Sequence, residues 1–166
     1  MSKPEFQIVA IAEEHIAGFH TAVDSVAREK LYLAMLEAPP LEASAKWVRN
    51  NIEKGHPQFV ALVGGRVVGW CDVVPMERAT LAHAGLLGMG VIEGHRGSGI
   101  GTALMRATLT KAKAIGLARV ELTVREENLR AIALYKRVGF IAEGLKRNAW
   151  RVDGKDSNVI LMALLF

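Results

Sequence analysis

A cluster of closely spaced glycines is the feature that most constrains the fold of this chain. The glycines stand at 94, 97, 99 and 101, directly after an apolar run at 86–91. Apolar residues then recur at helical spacings: Ile100, Ala103, Leu104, Ala107, Ala114 and Ile115. A strand, a glycine loop and the start of a helix together aim backbone N–H groups at an anion, and the helix dipole adds to the attraction. The sequence therefore predicts a phosphate-binding turn, with Arg96 as a fixed positive charge.

Three kinds of phosphate-binding loop can be compared with this turn. The nucleotide-hydrolase pattern G-x-x-x-x-G-K-[ST] is absent from the sequence. The dinucleotide pattern G-x-G-x-x-G fails, because its last position is Thr102 counted from Gly97 and Leu104 counted from Gly99. The pattern that fits is Arg96-x-x-Gly99-x-Gly101. It resembles the R/Q-x-x-G-x-G/A signature of the GNAT superfamily of acyl-CoA-dependent N-acyltransferases.

A second block downstream strengthens this resemblance. Residues 120–124 alternate and are rich in β-formers, which predicts a strand. Asn128 then precedes a short helical pattern that stops at Gly139. The block Asn128-x-x-Ala131-x-x-x-Tyr135-x-x-x-Gly139-Phe140 is similar to the second GNAT motif. The resemblance covers residues 58–166 well and the first 57 residues only in general layout.

The C-terminal half indicates a branch of this superfamily. It carries Glu143-Gly144, a basic extension and an Asp153-Gly154 turn. This form is similar to bacterial amino-acid and ribosomal-protein N-acetyltransferases.

Length and composition predict one α/β domain spanning residues 1–166. The chain is 51% hydrophobic and 23% charged, which is typical of a compact protein. The predicted order is β1-α1-α2-β2-β3-β4-α3-β5-α4-β6-β7, with a sheet that is antiparallel at first and mixed later. Its expected elements are strands at 6–11, 58–63, 66–74, 84–91, 118–124 and 138–143, a last hairpin around 153–154, and helices at 13–37, 41–54, 100–115 and 128–137. The resemblance implies a GNAT-type mixed sheet splayed between the fourth and fifth strands, with the acyl-pantetheine arm in that cleft.

Charge and targeting signals limit the expected partners. The net charge is +4, but the Lys and Arg residues are scattered, so we expect no nucleic-acid partner. The apolar stretches at 84–92 and 159–166 are too short to span a bilayer, and residues 1–5 lack the layout of a signal peptide. A single cysteine, Cys71, suits a reducing compartment. We therefore expect a cytoplasmic protein without a membrane partner, and a homodimer is among the expectations.

The resemblance implies acetyl-CoA as co-substrate and assigns residues to it. Backbone groups of Met89, Gly90 and Val91 would contact the pantetheine and the oxyanion. Tyr135 would be the general acid that protonates the departing thiolate, since a phenol stays protonated at neutral pH. Asn128 is open to two roles, as a helix N-cap and as a pantetheine contact. The residues implied for the pyrophosphate are Arg96, Gly97, Ser98, Gly99, Ile100, Gly101 and Thr102.

The general base is not evident from the sequence. Many relatives carry a glutamate where this chain has Leu86. Glu29, Asp72 and His83 are alternatives, and we expect each to be a surface or structural residue. A water relay and an amine that enters already neutral stay open. Together with Trp70, these three residues form the candidate acceptor-site set.

The sequence leaves the acceptor itself open. The implied reaction is direct attack of a primary amine on acetyl-CoA in a ternary complex, and the amine could be an amino acid, a small amine or a protein N-terminus. The alternative function is a non-catalytic acyl-CoA-binding sensor or assembly subunit. Cys71 sits in an apolar strand and is expected to be structural. The histidines show no metal-ligand spacing, so no metal is expected.

Overall fold

The computed structural model describes residues 5–166, so most of the segment used in the signal-peptide prediction lies outside them. The periodicities in the sequence become seven strands and four helices, with 3₁₀ turns at 13–15 and 79–81. The strands are β1 (Gln7–Ala10), β2 (Gln58–Val63), β3 (Arg66–Pro75), β4 (Ala84–Val91), β5 (Arg119–Arg125), β6 (Ile141–Val152) and β7 (Lys155–Leu165). The helices are α1 (Ile16–Arg28), α2 (Leu41–Glu53), α3 (Ile100–Ala114) and α4 (Leu129–Val138).

All seven strands form one mixed sheet in the order β1-β2-β3-β4-β5-β7-β6. Only β4 and β5 run parallel, and every other neighbouring pair is antiparallel. The β3–β4 ladder pairs residues 69–75 with 85–91, whereas the β4–β5 ladder stops after Leu86 pairs with Glu121. The predicted α/β class, the element order and the splay between β4 and β5 are confirmed.

Apolar residues on both sheet faces build two cores. One core packs α3 and α4 on the sheet through residues such as Leu104, Met105 and Val120. The other packs α1 and α2 on the opposite face, around Phe19 and Trp70. Because side chains alternate along a strand, β3 contributes Trp70 and Asp72 to the α1 face and Cys71 and Val73 to the α3 face.

The structure corrects two predicted elements. The helix expected at 13–37 ends at Arg28, because Lys30 takes a left-handed φ of 59° and the carbonyl oxygens of Lys30 and Leu31 accept hydrogen bonds from Arg125. The strand expected at 138–143 begins later, at Ile141, because α4 continues to Val138 and ends on Gly139, whose φ is 115°. Among residues 5–166, none of the helices has the length and apolarity needed to cross a membrane.

Close packing at Gly85 leads to a stability prediction. A Cβ atom built there would lie 2.6 Å from Cγ1 of Val73 and 3.0 Å from Cδ1 of Leu117. We expect Gly85→Ala to lower the free energy of unfolding by roughly 1–3 kcal/mol, as overpacked cores do. Gly144→Ala is the control, because its added Cβ would meet Leu161 at an ordinary 3.7 Å. Urea denaturation of both variants tests this, and equal midpoints would contradict it.

Candidate active site

A cleft of about 600 Å³ opens where β4 and β5 part. It passes through the sheet, because its walls include residues from the first turns of α3 and α4 on one face and from α1 and the segment after it on the other. Of the residues assigned to acetyl-CoA, the cleft is lined by Met89, Gly90, Val91, Arg96, Gly97, Gly99, Gly101, Thr102, Asn128 and Tyr135. The fold therefore brings the two sequence motifs to one site.

The glycine loop has the backbone conformation that an anion site requires. Gly94, Gly97 and Gly99 have φ angles of 85°, 74° and 91°, which other residues rarely adopt. Gly99 is the N-cap of α3 and no side chain caps this helix, so the N–H groups of its first turn are available to a ligand. Ser98 donates from its hydroxyl to the carbonyl oxygen of His95 at 2.7 Å, which holds the turn. This geometry fits a pyrophosphate group.

Arg130 is a residue of this site that the sequence analysis missed. It lines the cleft, and its guanidinium lies beside the loop, 2.5 Å from where a Cβ atom at Gly97 would stand. A glycine at 97 therefore leaves the space that this guanidinium occupies. The available signal was its position two residues after Asn128, on the first turn of α4. Arg130 adds a cation to the phosphate end of the cleft.

Arg96 is oriented differently from the expectation. Its guanidinium donates to both carboxylate oxygens of Glu29, at 2.9 and 2.6 Å, and lies 4.6 Å from the Tyr32 ring centroid. Its Nε also donates to the carbonyl oxygen of Val91 at 2.8 Å. The hydrogen bonds to Glu29 raise the pKa of Arg96, so the guanidinium stays charged. Glu29, a candidate base, is therefore the ion-pair partner of Arg96 and is joined through it to the glycine loop.

The segment after α1 connects both walls of the cleft. Glu29 binds Arg96 on the β4 side, whereas the carbonyl oxygens of Lys30 and Leu31 accept from Arg125 of β5 at 3.1 and 3.2 Å. Lys30 also pairs with Asp153, in the β6–β7 turn, at 3.1 Å. We call residues 29–37 the strap. It closes the cleft on the α1 face.

Asn128 is the N-cap of α4, and its side-chain oxygen accepts from the Ala131 N–H at 3.2 Å. The capping role is therefore confirmed. The cap uses only the side-chain oxygen of Asn128, and Asn128 also lines the cleft. The Nδ2 group can still donate to a ligand, so the two roles that the sequence leaves open are compatible.

Tyr135 is buried in the α3-side core and also lines the cleft. Its ring packs against Phe140 with the ring centroids 6.0 Å apart. Burial raises the pKa of its hydroxyl above the usual 10.0, so the group is protonated at neutral pH. Its packing on Phe140 fixes the ring at the cleft wall.

Three further residues of the acceptor-site set lie away from the cleft walls. Trp70 is only 4% exposed and belongs to the α1-side core, where its ring covers Gly90 and meets Phe19 edge-on at 6.0 Å. His83 is exposed and precedes β4, about 26 Å of strand from Val91. Asp72 is buried on β3, and burial raises its pKa to about 8. The expectation of a surface or structural role therefore holds for His83 by position, and Trp70 is a core residue.

Cys71 has the burial expected of a structural cysteine. It is fully buried between β2 and β4, and burial raises the pKa of its thiol. The Thr108 hydroxyl lies 3.3 Å from the Cys71 carbonyl oxygen and ties α3 to β3. Within residues 5–166, no three His, Cys, Asp or Glu side chains are grouped to hold a metal ion.

Comparison with known proteins identifies the family of this chain. The sequence profile of the Acetyltransferase (GNAT) family matches residues 27–140. The chain is 36% identical over 129 residues to the N-alpha-acetyltransferase RimI of Mycobacterium tuberculosis, covering 75% of this chain and 80% of that protein. It is 30% identical over 139 residues to the L-amino acid N-acetyltransferase AaaT of Escherichia coli, covering 82% and 85%.

A solved structure shares the fold. The acetyltransferase yncA from Salmonella typhimurium, described with its cofactor acetyl-CoA, superposes with a TM-score of 0.91 at 16% identity, covering 96% of this chain and 93% of that one. The sequence matches and the splayed sheet agree with the two motifs. This chain therefore belongs to the Acetyltransferase (GNAT) family and is an acetyl-CoA-dependent N-acetyltransferase.

Proposed function

We propose that this enzyme acetylates the α-amine of an amino acid or of a protein N-terminus by direct attack in a ternary complex. The observation that carries the proposal is the cleft that joins the two faces of the sheet, with phosphate-binding geometry at the α3 end and the strap at the other. The acetyl donor and the amine can thus meet between β4 and β5 from opposite faces. The names of the relatives in M. tuberculosis and E. coli, an N-alpha-acetyltransferase and an L-amino acid N-acetyltransferase, support an α-amine acceptor.

The backbone of β4 is suited to the acetyl-pantetheine end of the donor. Beyond Leu86 this strand has no β5 partner, so those N–H and C=O groups of residues 87–91 that point away from β3 face the cleft. Those N–H groups would stabilise the oxyanion as the thioester carbonyl is attacked. The first turn of α3 would hold the pyrophosphate, with Arg130 beside it and the Asn128 amide nearer the pantetheine. Arg96 contributes indirectly, because its ion pair with Glu29 fixes the glycine loop.

Tyr135 is suited to the protonation step. When the carbon–sulfur bond breaks, the thiolate needs a proton, and a hydroxyl that stays protonated at neutral pH can supply it. The amine forms the new carbon–nitrogen bond, so the enzyme needs no nucleophile of its own. The buried Cys71 agrees with that, because its pKa is raised rather than lowered.

We also propose a cytoplasmic location and a homodimer. The single cysteine, which is buried and unpaired, suits a reducing compartment. The strand β6 is an edge strand and exposes Ile141 and Leu145, a surface that a second copy would cover. Light scattering of the purified protein tests the dimer.

Release of CoA from acetyl-CoA tests the acceptor. We expect turnover with peptides that have a free N-terminus or with L-amino acids, and none with the same compounds blocked at the amine. Mass spectrometry should place the acetyl group on the α-amine. Binding of acetyl-CoA without turnover on any amine would contradict the proposal and favour the sensor or assembly subunit.

The glycine loop leads to a binding prediction. We expect Gly99→Val to weaken acetyl-CoA binding at least tenfold, about 1.4 kcal/mol, because a side chain would hold the phosphates away from the backbone. Gly116→Val is a matched control, since the two glycines have φ angles of 91° and 96° and neither has an atom within 4 Å of an added Cβ. Calorimetry of the two folded variants separates backbone strain from ligand contact. Equal affinities would contradict the prediction.

Tyr135 leads to a kinetic prediction. We expect Tyr135→Phe to lower kcat by roughly 10²-fold while the acetyl-CoA affinity changes little, because the hydroxyl acts in the transition state. The ring and its packing on Phe140 are kept, so the melting temperature is the control for structure. Normal turnover by this variant would assign Tyr135 to packing alone.

A further inference from the structure

A buried carboxylate lies on the α1 face of the sheet, one strand away from the cleft wall that residues 89–91 of β4 form. Asp72 is 7% exposed and sits in the middle of β3, directly opposite Gln58 of β2 and Gly88 of β4. Burial of a carboxylate is rare unless it is paired or functional. No side chain or backbone N–H within residues 5–166 donates a hydrogen bond to it, and burial alone accounts for its raised pKa.

Its neighbour Gln58 carries an unused donor. Gln58 is 3% exposed, and its Nε2 has no hydrogen-bond partner within residues 5–166, although its Oε1 accepts from Asn51 at 3.0 Å. Directly opposite residues on one sheet face have Cβ atoms about 4.5–5.5 Å apart. The Gln58 donor is therefore buried without a partner, and the Asp72 carboxylate on the paired strand has no hydrogen-bond partner within residues 5–166 while keeping some access to solvent. Such groups call for a functional explanation.

Gly88 brings the β4 backbone directly beside the Asp72 carboxylate. A Cβ atom at Gly88 would lie 3.4 Å from Oδ1 and 3.7 Å from Oδ2 of Asp72. An amine nitrogen near that point is therefore close to hydrogen-bond distance from the carboxylate. Gly88 is also two residues beyond Leu86, where the β4–β5 ladder stops, and directly precedes Met89, which lines the cleft.

The position of Asp72 can be compared with that of Leu86, which stands where many relatives carry a glutamate. Leu86 pairs with Val74, which makes Asp72 its diagonal neighbour on the same face, about 7–8 Å away. Leu86 is itself 52% exposed. A carboxylate is thus present one strand over from the position where many relatives carry a glutamate.

We propose that Asp72 is the general base of the reaction and that it receives its proton from the acceptor ammonium above Gly88. The inference rests on the proposed function. Asp72 takes one proton from the ammonium, and the neutral amine then attacks the thioester carbonyl. The carbon–nitrogen bond forms and the carbon–sulfur bond breaks, and Tyr135 gives its hydroxyl proton to the departing thiolate. The nitrogen then loses its second proton to the Tyr135 oxygen, which restores the phenol. Asp72 returns its proton to solvent after the product leaves.

The surroundings of Asp72 contain no buried counter-charge among residues 5–166. The directly paired residues of β2 and β4, Gln58 and Gly88, are neutral, and Gln58 is linked through Asn51 to His56. Burial lowers the pKa of His56, which is therefore neutral at pH 7. The charged residues of α1 and α2 are not buried: Asp24, Arg28, Glu42, Lys46, Arg49 and Glu53.

Asp72→Asn tests the base directly. We expect kcat to fall 10²- to 10⁴-fold with the amine that the wild type acetylates, whereas acetyl-CoA affinity by calorimetry stays within twofold. Adding Leu86→Glu to this variant should restore kcat at least tenfold, because it returns a carboxylate to the same face. A kcat within threefold of the wild type for Asp72→Asn, or no recovery on adding Leu86→Glu, overturns the proposal.

Gly88→Ala tests the position of the amine while Asp72 is kept, and so remains informative if Asp72→Asn does not fold. The methyl group would occupy the space in front of the carboxylate at ordinary contact distance, so we expect a stable protein whose kcat/KM for the amine falls at least tenfold. Gly144→Ala is the control and should keep wild-type kinetics. Unchanged amine kinetics in a folded Gly88→Ala protein overturns the proposal.

The pH dependence of the free energy of unfolding reports the ionisation of the Asp72 carboxyl without any measurement of turnover. Because the folded pKa of about 8 lies above the unfolded value of 3.8, the stabilisation is present below about pH 4 and is lost as the pH rises to about 8. Wild type should therefore lose stability over that range relative to Asp72→Asn, and parallel curves overturn the proposal. Failure of the wild type on every amine would instead remove the proposed function, so the two failures are distinguishable.

Discussion

The early end of the β4–β5 ladder is the constraint on which the rest of the structure depends. On one side, β4 is paired with β3 along its length, while on the other it pairs with β5 only over Ala84–Leu86. Beyond that point the β4 backbone groups that point away from β3 have no partner within the sheet and require one. A ligand that is apolar along its length and presents amide groups of its own meets that requirement. The proposed acetyl-CoA site therefore lies in the gap in the sheet.

The strap bridges this gap, because it is hydrogen-bonded to both walls of the cleft. Arg96 and Arg125 stand on opposite walls, and each takes its partners from consecutive residues of the strap, Glu29 on one side and Lys30 and Leu31 on the other. The Arg96–Glu29 pair is partly shielded, with about a fifth of each side chain exposed. It is therefore less weakened by solvent than a surface ion pair. The glycine loop and the strap are joined through this pair.

Local sequence patterns predicted what depends on local sequence. The bounds of β2 and β4 agree with the expectation, because alternation and a glycine turn define them. Residues 29–37 were wrongly predicted as helix, since no breaker precedes Pro39 and the hydrogen bonds that end α1 come from Arg125, about 95 residues away. The partner of Arg96 lies 67 residues distant for the same reason. Contacts of this kind have no signature in a single sequence.

The burial of Asp72 was accessible from the sequence, because Trp70 and Asp72 share one face of a strand in which the tryptophan must be covered. That burial also suits chemistry on an α-amine. A carboxylate at the half-exposed position 86 would keep a pKa far below that of an α-amine, near 7.7–8.0. Burial instead raises the pKa of Asp72 to about 8. As the pH rises toward 8 the Asp72 carboxylate forms, and it can then exchange a proton with an α-amine of similar pKa at little cost in free energy.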